Sequence, residues 1–238
     1  MMSPRAWRWL GGGLLAFGMS IALVWSALLI WANGEAAYYG FPLMARQNLD
    51  LHCPYFLAAD ETAQISTTIT NTNPYPATIG IQSWLSIPLG LDTRTEHRRL
   101  APGETWAWSR TIGPENRDLR YFVFASVYVF GGYPMPQRQS LCGAFVIPVR
   151  GISGQTVWWL GVFLALLLAS IGFGIWTWAQ RTAHIPTNIR LGIRFFFLLT
   201  PLSLAVAMWA PWMLGVAVLI VGGLAILIFV SGWIAYHQ

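Results

Sequence analysis

All nine acidic residues of this chain lie between Glu35 and Asp118, and the long apolar runs on either side contain neither Asp nor Glu. A carboxylate at the centre of a bilayer costs about 2.5–3.5 kcal/mol or more. The distribution therefore reads as one polar island held between membrane segments. Composition agrees: 55% hydrophobic residues, 10% charged and a mean hydropathy of +0.52 lie outside the range of soluble domains.

Four apolar runs are read as spans, at residues 10–32, 157–179, 191–209 and 213–233. A hydrocarbon core about 30 Å thick needs roughly 20 helical residues, and the first run supplies them after Arg5 and Arg8. A cleavable signal peptide is the competing reading, but the run exceeds the apolar core of such a signal, so a retained anchor is expected. Trp158, Trp159, Trp176 and Trp178 mark the two ends of the second run, as interfacial indoles do. The third run is short and contains Pro201; it reaches full length when Arg194 extends its guanidinium to the headgroups. Only Ala210, Pro211 and Trp212 separate it from the fourth, so these two form a tight antiparallel hairpin. Arg5, Arg8, Arg181, Arg190 and Arg194 flank the side shared by both termini and the 180–190 loop. Positive-inside counting places that side in the cytoplasm and residues 33–156 outside it, as for a protein of a bacterial inner membrane.

An oxidising exterior allows the only two cysteines, Cys53 and Cys142, to pair. Such a bridge ties the start of the polar domain to its last strand, at about 4–5 kcal/mol in the loop-entropy model. Residues 33–52 form a juxtamembrane segment, and residues 53–150 carry the strand signals. Ile65, Thr67 and Ile69 alternate with Gln64, Ser66 and Thr68, and Asn71-Thr-Asn-Pro-Tyr-Pro then supplies a turn. Further strands are expected at 79–87, 105–112, 121–130 and 141–149, with shorter ones at 55–59 and 97–100. About seven strands punctuated by turns predict an all-β sandwich.

Ile65-Ser-Thr-Thr-Ile-Thr-Asn-Thr-Asn, followed by Leu100-Ala-Pro-Gly-Glu-Thr and another alternating strand, resembles the bacterial CARDB-type immunoglobulin-like modules over residues 60–149. The resemblance implies an immunoglobulin-like sandwich whose matching motifs are scaffold: a core strand entering an Asn-rich turn, and a Pro-Gly turn leading to the next strand. It implies no catalytic residue, and modules of this kind serve adhesion, spacing and subunit contact alike. The cysteine pair and the several spans depart from the simple module.

The chemistry-bearing residues assemble into nothing recognisable. His52 beside Cys53 lacks the second pair that a metal site needs. His97 lies in Thr93-Arg-Thr-Glu-His-Arg-Arg, which reads as a solvated, charge-protected strand edge. His184 and His237 stand at the cytoplasmic boundary, where a haem or chlorin ligand is the alternative to an ordinary interfacial residue. No GxSxG elbow, P-loop or dinucleotide fingerprint occurs, and Gly11-Gly-Gly and Gly222-Gly lie inside apolar runs. No cofactor and no catalytic or metal-binding residue is assigned. The net charge of +5 comes from arginines scattered along the chain, which excludes a clustered nucleic-acid face. No ionisable residue lies near the middle of a span, which argues against proton or ion transport.

Two groups of contact residues are expected. Ser170 with Gly174, and Gly215 with Gly222, present small faces for helix packing. In the polar domain Trp106 and Trp108 share a strand face, read first as sandwich core and second as a partner patch; Tyr133, Met135 and Arg138 lie in or beside a Pro-rich loop placed to meet a partner. The resulting expectation is a non-catalytic accessory subunit of a larger membrane complex, in contact with lipid and with other subunits. The alternative is a receptor or binding protein for an extracytoplasmic or lipid ligand.

Overall fold

The computed structural model describes residues 4–131, 135–180 and 187–237, with 4, 5, 188 and 228–237 as backbone only. Two compact units result, Met1–Ile30 with Trp158–Gln238, and Trp31–Val157.

The first unit is helical. It contains most of α1 (Pro4–Tyr38) and α2 (Gly154–Gln180), with all of α3 (Thr187–Trp209) and α4 (Trp212–His237). Among the described residues three helical stretches, Ala6–Tyr38, Gly154–Gln180 and Ile189–Trp209, are long and apolar enough to cross a membrane, and α4 opens with the apolar stretch Trp212–Leu227. Small residues let α1 and α2 meet backbone to backbone. A Cβ on Gly18 would lie 2.7 Å from the Ala165 carbonyl oxygen and the Ala169 nitrogen, and one on Gly172 would lie 2.4 Å from the Leu15 nitrogen. Gly11 sits equally close, 2.7 Å from the Trp176 nitrogen. Gly215 accommodates Ile30, and Gly222 accommodates Leu199 and Leu23. Ser170 and Gly174 are both exposed, and among the described residues nothing lies within 4 Å of a Cβ placed on Gly174. The face of α2 that meets α1 lies to one side of that pair around the helix, where Ala165, Ala169 and Gly172 approach Gly11 and Gly18 and where Gly161 meets the Trp25 ring.

The second unit is a β-sandwich with an added helical layer. Its strands are β1 (Gln47–Asn48), β2 (Phe56–Ala58), β3 (Ala63–Thr70), β4 (Ala77–Ile87), β5 (Gly90–Leu100), β6 (Thr105–Ile112), β7 (Arg117–Asp118), β8 (Phe122–Gly131) and β9 (Arg138–Ile147). One sheet runs β1-β9-β8-β4-β5, with β2 also on β9 and β7 on β8; the other is the antiparallel pair β3-β6. Their facing sides share one core, in which Ile65, Trp106 and Trp108 of the small sheet meet Ile81, Val127 and Val146 of the large one. The strand expected at 97–100 begins at Gly90. Its side chains alternate charge with threonine, so the apolar signal of a strand is missing while the hairpin register onto β4 is continuous.

β8 explains why the large sheet is buried on both faces. Val123, Ala125, Val127 and Val129 point into the sandwich, while Phe122, Phe124 and Tyr128 point the other way. That second face is covered by Ala32 and Ala36 at the end of α1 and by Phe41. Gly143 permits the approach: a Cβ there would sit 2.0 Å from the Ala32 carbonyl oxygen, and its N–H donates to Asn33 Oδ1 at 3.2 Å. α1 thus runs beyond residue 32, ending where Gly40 adopts a φ of +88°.

The disulfide joins Cys53, ahead of β2, to Cys142 on β9, with a Cα separation of 6.6 Å across 89 residues of sequence.

Candidate functional site

Trp106 and Trp108, read first as sandwich core and second as a partner patch, lie in the inter-sheet core. Trp106 and Trp108 are buried at 7% and 3% exposure, because even-numbered residues of β6 face the inter-sheet core. Met135 is half-buried against the same core, and Arg138 is exposed at the start of β9, opposite Val129 and Gln47. Tyr133 and His184 lie outside the described residues, as does the side chain of His237.

A charged cluster that sequence reasoning missed closes the open flank of the sandwich. Among the described residues the small sheet has two strands, β3 and β6, and Asp92, Arg94, Glu96 and Arg98 of β5 stand opposite Leu85, Ser83, Ile81 and Ile79 of β4, on the side that faces into the sandwich. Arg110 reaches across from β6. Its Nη1 donates to the Ser83 carbonyl at 3.0 Å and to Ser83 Oγ at 2.8 Å, and its Nη2 donates to Asp92 Oδ2 at 2.5 Å. At the other end of the flank, Arg98 pairs with Glu104 at 3.1 Å and lies over the Trp106 ring. Arg110 is 5% exposed, and burial lowers its affinity for the proton while the Asp92 carboxylate opposes that shift. The legible signal was the two-residue period of charges along β5, which places one row of them on a single face.

An open cleft of about 440 Å³ lies beside this cluster, lined by Asp92, Thr93, Arg94, Arg110, Thr111 and Glu115 among others. Both signs of charge line it, and its one buried cation is bonded to its own scaffold. A second polar contact ties the end of α1 to the large sheet: the Tyr39 hydroxyl donates to Asp118 Oδ2 and packs its ring 4.5 Å from Phe124. Burial first, and the Asp118 bond second, push the Tyr39 pKa above its ordinary 10.0.

Among the described residues, no three His, Cys, Asp or Glu side chains gather as metal ligands do. His52 faces Asp50 at 3.9 Å on the surface, and His97 packs edge-on against Phe130.

No family model matches the chain, and no curated protein matches it. Among solved structures, a β-glucuronidase from Bacteroides uniformis shares 22% identity over 41% of this chain and 13% of its own, with a TM-score of 0.32. A β-glucosidase from Listeria innocua in complex with glucose shares 15% over 42% and 16%, at 0.30. The CsuC-CsuE chaperone-tip adhesion subunit complex of Acinetobacter baumannii shares 15% over 44% and 54%, at 0.26. The chain spans less than a fifth of either glycosidase, and likenesses at these scores carry no argument about activity.

Proposed function

We propose that this protein is a membrane-anchored, non-catalytic accessory subunit whose β-sandwich makes protein contacts on the extracytoplasmic face of a larger membrane complex. The observation that carries the reading is the use made of Arg110. It is the one charged side chain buried among the described residues, and it bridges the two sheets through Ser83 and Asp92, so its charge serves the scaffold.

The remaining features accord with that role. Counting α4 with the three apolar stretches gives four spans, a reading that puts both termini on the arginine-rich side and the disulfide on the oxidising side opposite. The sandwich is read as immunoglobulin-like of the CARDB type: β4, β8 and β9 correspond to the C, F and G strands of such a domain, and β3 with β6 to its B and E strands. A binding protein is the second reading, favoured by the open cleft beside Arg94 and Thr93.

The test is purification of the tagged full chain in mild detergent at native expression, with mass spectrometry of whatever co-migrates on a native gel. A different membrane protein in stoichiometric amount is the expected result. Recovery of this chain without any other protein overturns the accessory reading and favours the binding protein.

A further inference from the structure

We infer that the free edge of β5 is a docking strand for a second copy of this chain, paired antiparallel with Thr95 opposite Thr95 of the partner subunit. The free edge itself follows from the ladder. Odd-numbered residues of β9 bond outward, since Leu49 donates to the Gln139 carbonyl and Phe145 to the Tyr55 carbonyl. Antiparallel pairing alternates residue by residue. Carried through Ala125 opposite Cys142, Trp84 opposite Ser126 and Ser83 opposite Arg94, the alternation leaves the N–H and C=O groups of Thr93, Thr95 and His97 pointing away from β4. Among the described residues no strand pairs with that edge.

Charge selects the occupant and the register. Asp92, Arg94, Glu96 and Arg98 share one face of β5 and alternate in sign. With Thr95 on the two-fold axis, Arg94 falls opposite the partner's Glu96 and Asp92 opposite the partner's Arg98, each pair occurring twice. A shift of the axis by one residue toward the N-terminus sets Arg94 against itself and Asp92 against the partner's Glu96. The opposite shift sets Glu96 against itself and Arg94 against the partner's Arg98. Like charges placed directly opposite destabilise a ladder, so the pattern rejects its neighbouring registers and accepts this one. Arg94 and Glu96 are exposed, and no ion pair among the described residues includes either. In this register they also occupy the closer, non-hydrogen-bonded positions of the ladder, where side chains interact most strongly. A charged edge that deters foreign strands is in this case complementary to itself.

The pairing does not depend on the accessory reading, and its test is separate. The full chain has no free cysteine, so Thr95→Cys places a single new thiol on the axis. In detergent, where no bilayer orients the copies, oxidation of Thr95→Cys yields a covalent dimer and Thr93→Cys, which faces the partner's His97, does not. Arg94→Glu weakens the dimer about tenfold by replacing both central attractions with repulsions, and Arg94→Glu with Glu96→Arg restores it. Absence of the Thr95→Cys cross-link, equal linking by Thr93→Cys, or no rescue by the double reversal overturns the inference. Loss of a different protein on Arg94→Glu, with no dimer at any stage, likewise overturns it by assigning the edge to a foreign strand.

Discussion

Arg110 bridges two sheets between which no strands pair among the described residues, and the geometry of its fork is what allows it. Arg110→Lys leaves a charge but cannot span the Ser83 carbonyl and Asp92 together, and Arg110→Met leaves Asp92 without its cation. Because Asp92 remains 38% exposed and can take water, the expected loss is about 1–3 kcal/mol, below that of a fully buried pair, read by thermal unfolding in detergent. Trp108→Ala removes a 3%-exposed indole from the inter-sheet core and is expected to cost about 3–5 kcal/mol by the same measurement. Tyr39 supplies a pH dependence. Its folded pKa is raised, so its contribution is fully present below the ordinary value of 10.0 and is lost as pH rises beyond it. Stability of the wild-type chain is expected to fall above about pH 10 more steeply than that of Tyr39→Phe, and equal slopes contradict the assignment. At this scale the sequence was partly readable. Two-residue spacing put Trp106 and Trp108 on one face, but only tertiary packing decides whether such a face meets a partner or the opposite sheet. Arg110 gave no sign, since its partners lie 18 and 27 residues away.

Two turns of the sandwich show how local chemistry and element boundaries interact. Ala101-Pro-Gly-Glu closes with Glu104 N–H donating to the Ala101 carbonyl at 3.0 Å, and Gly103 takes the required φ of +75° without strain. Pro88-Leu89 joins β4 to β5 with Leu89 held at φ +66°, where a side chain is disfavoured, and that side chain is fully exposed. Leu89→Gly is therefore expected to stabilise the hairpin by about 1 kcal/mol, and a loss of stability contradicts the strain argument. Gly143 behaves oppositely. Gly143→Ala drives a methyl into the Ala32 carbonyl, with an expected cost of about 1–3 kcal/mol and loosened protection of residues 32–45 in hydrogen exchange. Strands β3, β4 and β6 were legible from apolar alternation, and β8 from its apolar run. The covering of the large sheet by the end of α1 was not, although the alternation of Phe and Val along β8 already required an apolar neighbour on each face. β5 was underestimated because its alternation is written in charge.

For the molecule as a whole, the segregation of acidic residues was the most informative feature of the sequence, because burial of charge in hydrocarbon is costly whatever the fold. It separated the apolar helices from the sandwich, and the two cysteines fell at positions that the structure brings together. The α1–α2 contact was less accessible: Gly11, Gly18 and Gly172 are distinguishable from the open Gly12, Gly13 and Gly174 only by which face the neighbouring helix presents. Removing the bridge by Cys53→Ser with Cys142→Ser is expected to destabilise the sandwich by about 2–5 kcal/mol, seen as faster proteolysis of residues 53–150. The central claim is an anchored sandwich that faces an oxidising space, and labelling of intact cells with a membrane-impermeant maleimide-polymer tests it most directly. No adduct before reduction, and two after an impermeant reductant, is the expected result for Cys53 and Cys142. Adducts without reduction, or adducts that appear only after the membrane is broken, contradict the account.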